Sequence, residues 1–358
     1  YGLYADENES PRGRIALAEA LLRGQLPADP TLGDHLYRCL LCRRCETVCP
    51  SGVNYSRLMD AARARLPRSH WSSRLVTRPR LGELLANAAR RVPLPGSTLS
   101  AIARALPAQA AAPGPGVYPP AGTARGRVGL FLGCVTRSHQ GNALQAALLL
   151  LNRLGHEVVI PADQACCGAL AQHQGEPATA RELAQRNAAA FADLDVLVSV
   201  ASGCSAHLRE HLSGIPSRDI LGFLHDDAAW PELAFTPLHA TAALHRPCTA
   251  VNALRDQDSA QILLGSIPGL QLCPLGTAGG CCGAAGEHLL SEREQALALR
   301  QPLLQQLAGL DAEFLFSSNI GCALHLAEGA KAQGLPLETL HPVELLARQL
   351  APSGEAQA

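Results

Sequence analysis

The spacing of apolar positions changes once along the chain. Near the start, Ser10-Pro11 precedes Ile15, Leu17, Leu21 and Leu22, which predicts a capped helix with one apolar stripe. From residue 128 onward, short apolar runs at 128–132, 157–160, 196–200, 241–244 and 314–316 read as strands, with a helical pattern over 143–154 between two of them. Alternating strands and helices predict right-handed β-α-β units and a parallel sheet in each of two halves. The longest apolar stretch, 146–151, falls well short of the ~18–20 residues that span a bilayer. Residues 57–127 are different in kind. Twelve arginines there face only Asp60 and Glu83, and nine prolines interrupt the stretch. Short amphipathic helices are expected over 81–91 and 99–106, within an inter-domain connector whose boundary is at 110–122. The same basic stretch could serve as a docking surface for a partner subunit or for anionic lipid headgroups.

Charge and composition narrow the field. A formal net charge of −1 gives no footing for nucleic acid. The informative number is thirteen cysteines. The count is odd, the chain is long, and the adjacent pairs Cys166-Cys167 and Cys281-Cys282 make poor disulfide partners. The thiols are therefore expected as metal ligands in a reducing, cytoplasmic setting.

Cys39-Leu-Leu-Cys42-Arg-Arg-Cys45-Glu-Thr-Val-Cys49-Pro50 has the spacing C-x2-C-x2-C-x3-C-P, the ligand run of bacterial ferredoxins. Two-residue gaps let successive thiolates wrap one face of a [4Fe–4S] cubane, and Pro50 ends the turn. A structural zinc site usually draws on two separated cysteine pairs instead. In two-cluster ferredoxins the fourth cysteine ligates the other cluster. Cys39, Cys42 and Cys45 are thus expected on one cluster and Cys49 on a second. The matching second run is absent from these 358 residues, and the expectation is that it precedes Tyr1.

The remainder is an internal duplication. Gly133-Cys134, Cys166-Cys167-Gly168 and Ser202-Gly203-Cys204 return as Pro247-Cys248, Cys281-Cys282-Gly283 and Ile320-Gly321-Cys322, at offsets of 114, 115 and 118 residues. Every repeated cysteine falls beyond the C-terminal end of an expected strand, where open α/β sheets build binding crevices. Gly133, Gly168, Gly203, Gly283 and Gly321 are expected to let backbone approach a bulky cluster and offer it N–H groups. Histidines repeat too. His207 and His325 each follow the last cysteine of a copy by three residues and are candidate ligands, with Cys3His zinc as the alternative chemistry. His173 and His288 each follow the C-C-G glycine by five residues, and His245 precedes Cys248 by three, a candidate to support a ligand. Cys273 has no counterpart and reads as a buried structural thiol. The expected limits are a ferredoxin-type region at 1–66, a linker at 67–126, and repeats at 127–236 and 237–358.

Ser10-Pro11-Arg12-Gly13-Arg14-Ile15, the run from Cys39 to Pro50 with Ser51-Gly52-Val53, and the two C-C-G repeats together resemble the iron–sulfur subunit of bacterial glycolate oxidase. The resemblance covers nearly the whole chain. It implies a helical ferredoxin-type half domain followed by two tandem α/β repeats, two ferredoxin-type [4Fe–4S] clusters in the full-length protein and one or two more in the repeats. It also implies a partner subunit that carries FAD and oxidises glycolate, with electrons leaving toward quinone at the inner face of the cytoplasmic membrane. The absence of a G-x-G-x-x-G fingerprint agrees with flavin chemistry on another polypeptide. The same layout is shared with lactate-utilisation proteins, the iron–sulfur subunit of anaerobic glycerol-3-phosphate dehydrogenase, and heterodisulfide reductases. In the last group each repeat ends C-x2-C and supplies five cysteines. Here the final position is His207 or His325, leaving four cysteines per copy, which counts against disulfide reduction.

Overall fold

The computed structural model describes residues 2–66, 68, 101, 102 and 104–352. The helix expected over 81–91 lies outside the described residues, as do Leu99, Ser100 and Ala103 of the one expected over 99–106.

The N-terminal region is helical, with helices Pro11–Leu22, Pro30–Tyr37, Arg44–Thr47 and Tyr55–Arg63. Ser10 and Asp29 start the first two. Each side chain accepts a backbone N–H three residues on, from Gly13 and Leu32, and each is followed by proline at the first helical position. Ala18, Leu36, Tyr55, Met59 and Ala62 form a small core of their own. A buried charge network reinforces it: Glu9, 1% exposed, accepts hydrogen bonds from Arg14, from His35 at 2.8 Å and from Arg38 at 3.2 Å. Burying a carboxylate is tolerable only with partners of this kind.

Two sheets follow. The first contains β1 (Gly116–Tyr118), β2 (Gly126–Phe131), β3 (His156–Ile160), β4 (Val196–Ser199) and β5 (Ser217–Asp219), in the order β1-β3-β2-β4-β5. The second contains β6 (Ala240–His245), β7 (Leu270–Leu275), β8 (Phe314–Ser317) and β9 (Glu338–Leu340), in the order β7-β6-β8-β9. Every pairing is parallel except that of β1, which runs antiparallel to β3. Each strand expected from the sequence is present. The departure is β1: part of the stretch expected as bare connector covers an otherwise open sheet edge.

Alternation along the strands divides the side chains between two faces. Val128 and Leu130 of β2 join Val158, Ile160 and Val198 in a core that continues through Ala242, Leu244, Phe316 and Leu340 of the second sheet. Phe131 and Leu197 face the other way, packing with Cys166 and Cys167. The two repeats thus share one core, and their contacts are reciprocal. The helix after β2 (Gly141–Arg153) packs on the helix after β9 (Pro342–Gln349), and the helix after β5 (Ile220–His225) packs on the helix after β6 (Ser259–Leu264). Such an exchange of equivalent surfaces is how a symmetric dimer is built, here within one chain. Val343, Leu345 and Leu346 are at most 1% exposed, and each such side chain contributes roughly 1.5–3 kcal/mol on burial.

Candidate metal centres

Three of the four cysteines in the ferredoxin-type loop gather together. Leu41 and Arg43 take left-handed φ values of 49° and 60°, coiling the chain between Cys39 and Cys45. The Leu41 N–H and the Tyr55 hydroxyl donate to Cys39 Sγ at 3.5 and 3.6 Å. Burial, followed by the neighbouring Cys281, pushes the Cys42 thiol up to about 12, and burial with Cys39 pushes Cys45 to about 11. Cys49 differs: the backbone N–H groups of Val53, Ser51 and Gly52 hold its thiol below the ordinary range. Beneath the loop, Arg63 (2% exposed) donates to the carbonyls of Leu36 at 2.9 Å and Cys39 at 2.6 Å, and stacks 4.8 Å from the Tyr37 ring centre.

Each repeat brings its four cysteines to the C-terminal ends of its strands. In the first, Cys134 Sγ lies 3.6 Å from Cys166 Sγ, and Cys167 lies against both Cys166 and Cys204. In the second, Cys281 pairs with Cys248 and Cys282 with Cys322. A ring nitrogen of His245 and the sulfurs of Cys282 and Cys322 all lie within 4.8 Å of one another. The two C-C-G glycines share one φ. Gly168 and Gly283 both have φ of +94°, and an added Cβ would stand 3.2 Å from the Ala180 carbonyl oxygen and 2.5 Å from that of Ala296. Glycine is required there twice over, by the left-handed turn and by the helix packed on it. Gly133 turns the chain out of β2 into Cys134, while Gly203 and Gly321 sit against Asn319, whose Nδ2 and Oδ1 would lie 3.1 and 3.3 Å from a Cβ.

The donor chemistry suits a polycationic iron–sulfur core. Cys134 and Cys281 are pushed well above the ordinary thiol range, by the paired thiols and by burial. Four sulfurs packed in an apolar crevice repel one another as thiolates, so they ionise together only around a strongly positive centre. All thirteen cysteines are free thiols.

The three sulfur sites are near neighbours. The Ser202 N–H donates to the Ser318 carbonyl at 2.9 Å, Ser202 Oγ lies 2.7 Å from Thr249 Oγ1, and Asn319 Nδ2 donates to Thr249 Oγ1 at 3.2 Å. These bonds knit together the loops that carry Cys204, Cys248 and Cys322. Asn252 then ties the second repeat to the ferredoxin-type loop. From the π-helical turn Thr249–Leu254 its Nδ2 donates to the Cys42 carbonyl at 2.8 Å and to the Gly279 carbonyl at 2.9 Å. π-Helical turns frequently mark functional positions. Nothing in the sequence singles out Asn252, Arg63 or Tyr55, because each acts through a fold-dependent contact.

The repeated histidines fall into two groups. His173 and His288 meet the N-terminal helices: the His173 ring lies 3.3 Å from Asp60 Oδ1, its carbonyl accepts from Arg63 at 3.1 Å, and His288 is buried within the field of Arg63. His325 bonds through Nε2 to the Ala296 carbonyl at 3.1 Å, beside Arg300, and burial lowers its pKa to about 4. His207 stacks on His211 at 4.2 Å and turns Nε2 toward Gly168; burial lowers its pKa to about 2. Among the described residues, the histidine brought into a ligand-like grouping with cysteines is His245. Cys273, on β7 opposite Ala243, is half-buried rather than fully buried.

A family of cysteine-rich domains, CCG, matches residues 128–209 and 242–327. The chain is 31% identical to a probable glycolate oxidase iron–sulfur subunit of Bacillus subtilis, over 95% of this chain and 88% of that protein. It is 30% identical to the glycolate oxidase iron–sulfur subunit of Escherichia coli K12, over 92% of this chain and 87% of that protein. Likeness to lactate utilization protein A of Geobacillus kaustophilus is 27%, over 62% of this chain and 98% of that protein.

Proposed function

The chain belongs to the family of glycolate oxidase iron–sulfur subunits, and from that premise we propose that it is the electron-transfer subunit of a glycolate oxidase, receiving electrons from an FAD-bearing partner and delivering them toward quinone at a membrane surface. Among the described residues, no helix is long and apolar enough to cross a membrane, so contact with a membrane would be peripheral. The observation that carries the reading is the placement of Cys42 beside Cys281, with Asn252 bonded to both loops. Electrons pass most readily between centres that lie close together, and this contact supports transfer between the ferredoxin-type loop and the second repeat.

In this reading Cys39, Cys42 and Cys45 hold one [4Fe–4S] cluster and Cys49 reaches a second. Cys134, Cys166, Cys167 and Cys204 serve the first repeat, and Cys248, Cys281, Cys282 and Cys322 the second. Bound clusters supply one-electron storage. The chain's own residues shape where that charge is comfortable. Arg63 holds a positive charge beneath Cys39, favouring a gain of negative charge there. The Leu41, Gly283 and Val53 N–H groups point at Cys39, Cys281 and Cys49, spreading charge off sulfur. Burial of Cys39, Cys166, Cys167, Cys282 and Cys322 keeps water from the sulfurs. The shorter reach of the lactate-utilisation match favours glycolate as the partner's substrate. The test is anaerobic mixing of the purified protein with its flavoprotein partner and glycolate. Bleaching of the iron–sulfur absorbance, dependent on both, is expected; glycolate oxidation by this chain alone with an added acceptor would overturn the assignment.

A further inference from the structure

The duplication gives each residue of one repeat a counterpart in the other, and at one position by the cysteines the counterparts differ in chemistry. The last residue of β2 is Phe131, which pairs across to Ser199 of β4; the last residue of β6 is His245, which pairs across to Ser317 of β8. The 114-residue offset that relates Cys134 to Cys248 also relates Phe131 to His245. Phe131, 1% exposed, fills its place with hydrocarbon, packing with Cys166, Cys167 and Phe191. His245, 3% exposed, puts a ring nitrogen among the sulfurs of Cys282 and Cys322.

We propose that His245 ligates the cluster of the second repeat alongside Cys282 and Cys322, so that the two repeats hold chemically different centres. The ring is oriented for this. Nδ1 lies 3.1 Å from Ser317 Oγ, which leaves Nε2 for the metal, the arrangement in which a ligating imidazole has its other nitrogen fixed by a hydrogen bond. Ser199, the counterpart of Ser317, has no imidazole to hold. Cys281 lies against Cys248 and near Cys42, while the nitrogen donor stands with Cys282 and Cys322. Four cysteines and one imidazole are one donor more than a four-iron cubane needs, so His245 would take the place of one thiolate, an exchange that raises the reduction potential of an iron–sulfur centre. The centre next to the ferredoxin-type loop is therefore the more easily reduced of the two repeats' centres, and electrons arriving at Cys42 settle in the second repeat rather than the first.

This inference rests on the reading that the repeats hold iron–sulfur clusters, and the experiment separates the two. The full chain, purified anaerobically, is analysed for iron and zinc, then reduced stepwise and examined by pulsed EPR with natural-abundance and 15N-labelled histidine. A strong nitrogen hyperfine coupling that changes from the 14N to the 15N pattern is expected, as is its loss in His245→Phe together with a lower midpoint potential for one centre. Ser317→Ala, which keeps the ring, is expected to retain the coupling and shift the same potential by less. If His245→Phe does not fold, absence of a label-sensitive coupling still overturns the assignment, and a change in the size of that coupling in Ser317→Ala, whose hydroxyl lies 3.1 Å from His245 Nδ1 in the native protein, is the expected sign that His245 is its source. Iron in full measure without a label-sensitive coupling overturns the assignment, as does a coupling that survives in His245→Phe. Zinc in place of iron in the repeats overturns the cluster reading itself.

Discussion

Two repeats with a matching order of parallel strands, the same order of cysteines and a left-handed glycine after each cysteine pair have been put to different surroundings. Gly168 and Gly283 share one φ, and Ser199 and Ser317 occupy one register position. Around these fixed points the first repeat is lined by Phe131 and Phe191 and the second by His245, with Asn252 reaching out to the ferredoxin-type loop. The caps of the last helices diverge as well: Asp219 caps Ile220–His225 where His341 caps Pro342–Gln349. A duplicated frame, once stable through its shared core, leaves individual side chains free to change. The difference shows which positions are demanded by the fold and which are available for tuning.

The largest effect is expected from removing a C-C-G pair. Replacing Cys281 and Cys282 by serine should lower iron by about four per chain, and replacing Cys166 and Cys167 should do the same, as colorimetric iron and sulfide counts would show. An equal loss marks both repeats as cluster sites; a loss in one alone makes the other a scaffold. Next come the glycines. Gly283→Ala should destabilise by about 3 kcal/mol or more and Gly168→Ala by about 1–2 kcal/mol, since both strain φ but the first also strikes the Ala296 carbonyl. Urea unfolding of the two variants, side by side, tests the ordering. Asn252→Ala removes the donor from two carbonyls, which should cost about 2 kcal/mol. Faster hydrogen exchange in the Cys39–Cys49 loop, with the first repeat unchanged, is the expected sign.

The smallest effect concerns the caps. Burial raises Asp219 to about 7, with Asp256 adding to the rise and the Leu221 N–H, Ser205 and Arg218 opposing it. Its folded pKa exceeds the unfolded value, so its stabilising share is complete below about pH 4 and is lost as pH climbs to about 7. Burial moves His341 the opposite way, to about 3, so its share is present above about pH 6.5 and is lost as pH falls. Asp219→Asn, which keeps an acceptor for Leu221, should flatten the decline between pH 5 and 7 by about 1–2 kcal/mol. Denaturation midpoints across that range would show it, and an unchanged slope would place the charge elsewhere.

Much of this frame is legible in the residue order, because cysteine spacing and apolar runs are local signals. The ferredoxin-type run, the duplication and the strands β2, β3, β4, β6 and β8 all declare themselves. The missing strands are those with weak local signals: β5 is Ser-Arg-Asp, β9 is Glu-Thr-Leu, and β7 carries Pro274 at a sheet edge. The reciprocal helix contacts and the approach of Cys42 to Cys281 depend on how remote segments pack, which no local pattern records. The repeated histidines were a real signal with mixed meaning. His173 and His288 face the N-terminal helices, His325 secures the Arg293–Ala308 helix, and among the described residues the histidine grouped with two sulfurs is the unrepeated His245. Its importance was written in the comparison of copies, at the one position where phenylalanine stands opposite it.

The most direct measurement is the content of iron, acid-labile sulfide and zinc per chain in anaerobically purified protein. Iron and sulfide in equal amounts, at about twelve or more of each in the full-length protein with negligible zinc, is the expected result, more than two ferredoxin-type clusters can hold and so placing at least one in the repeats. About eight irons or fewer, or zinc in their place, would contradict electron transfer through the repeats.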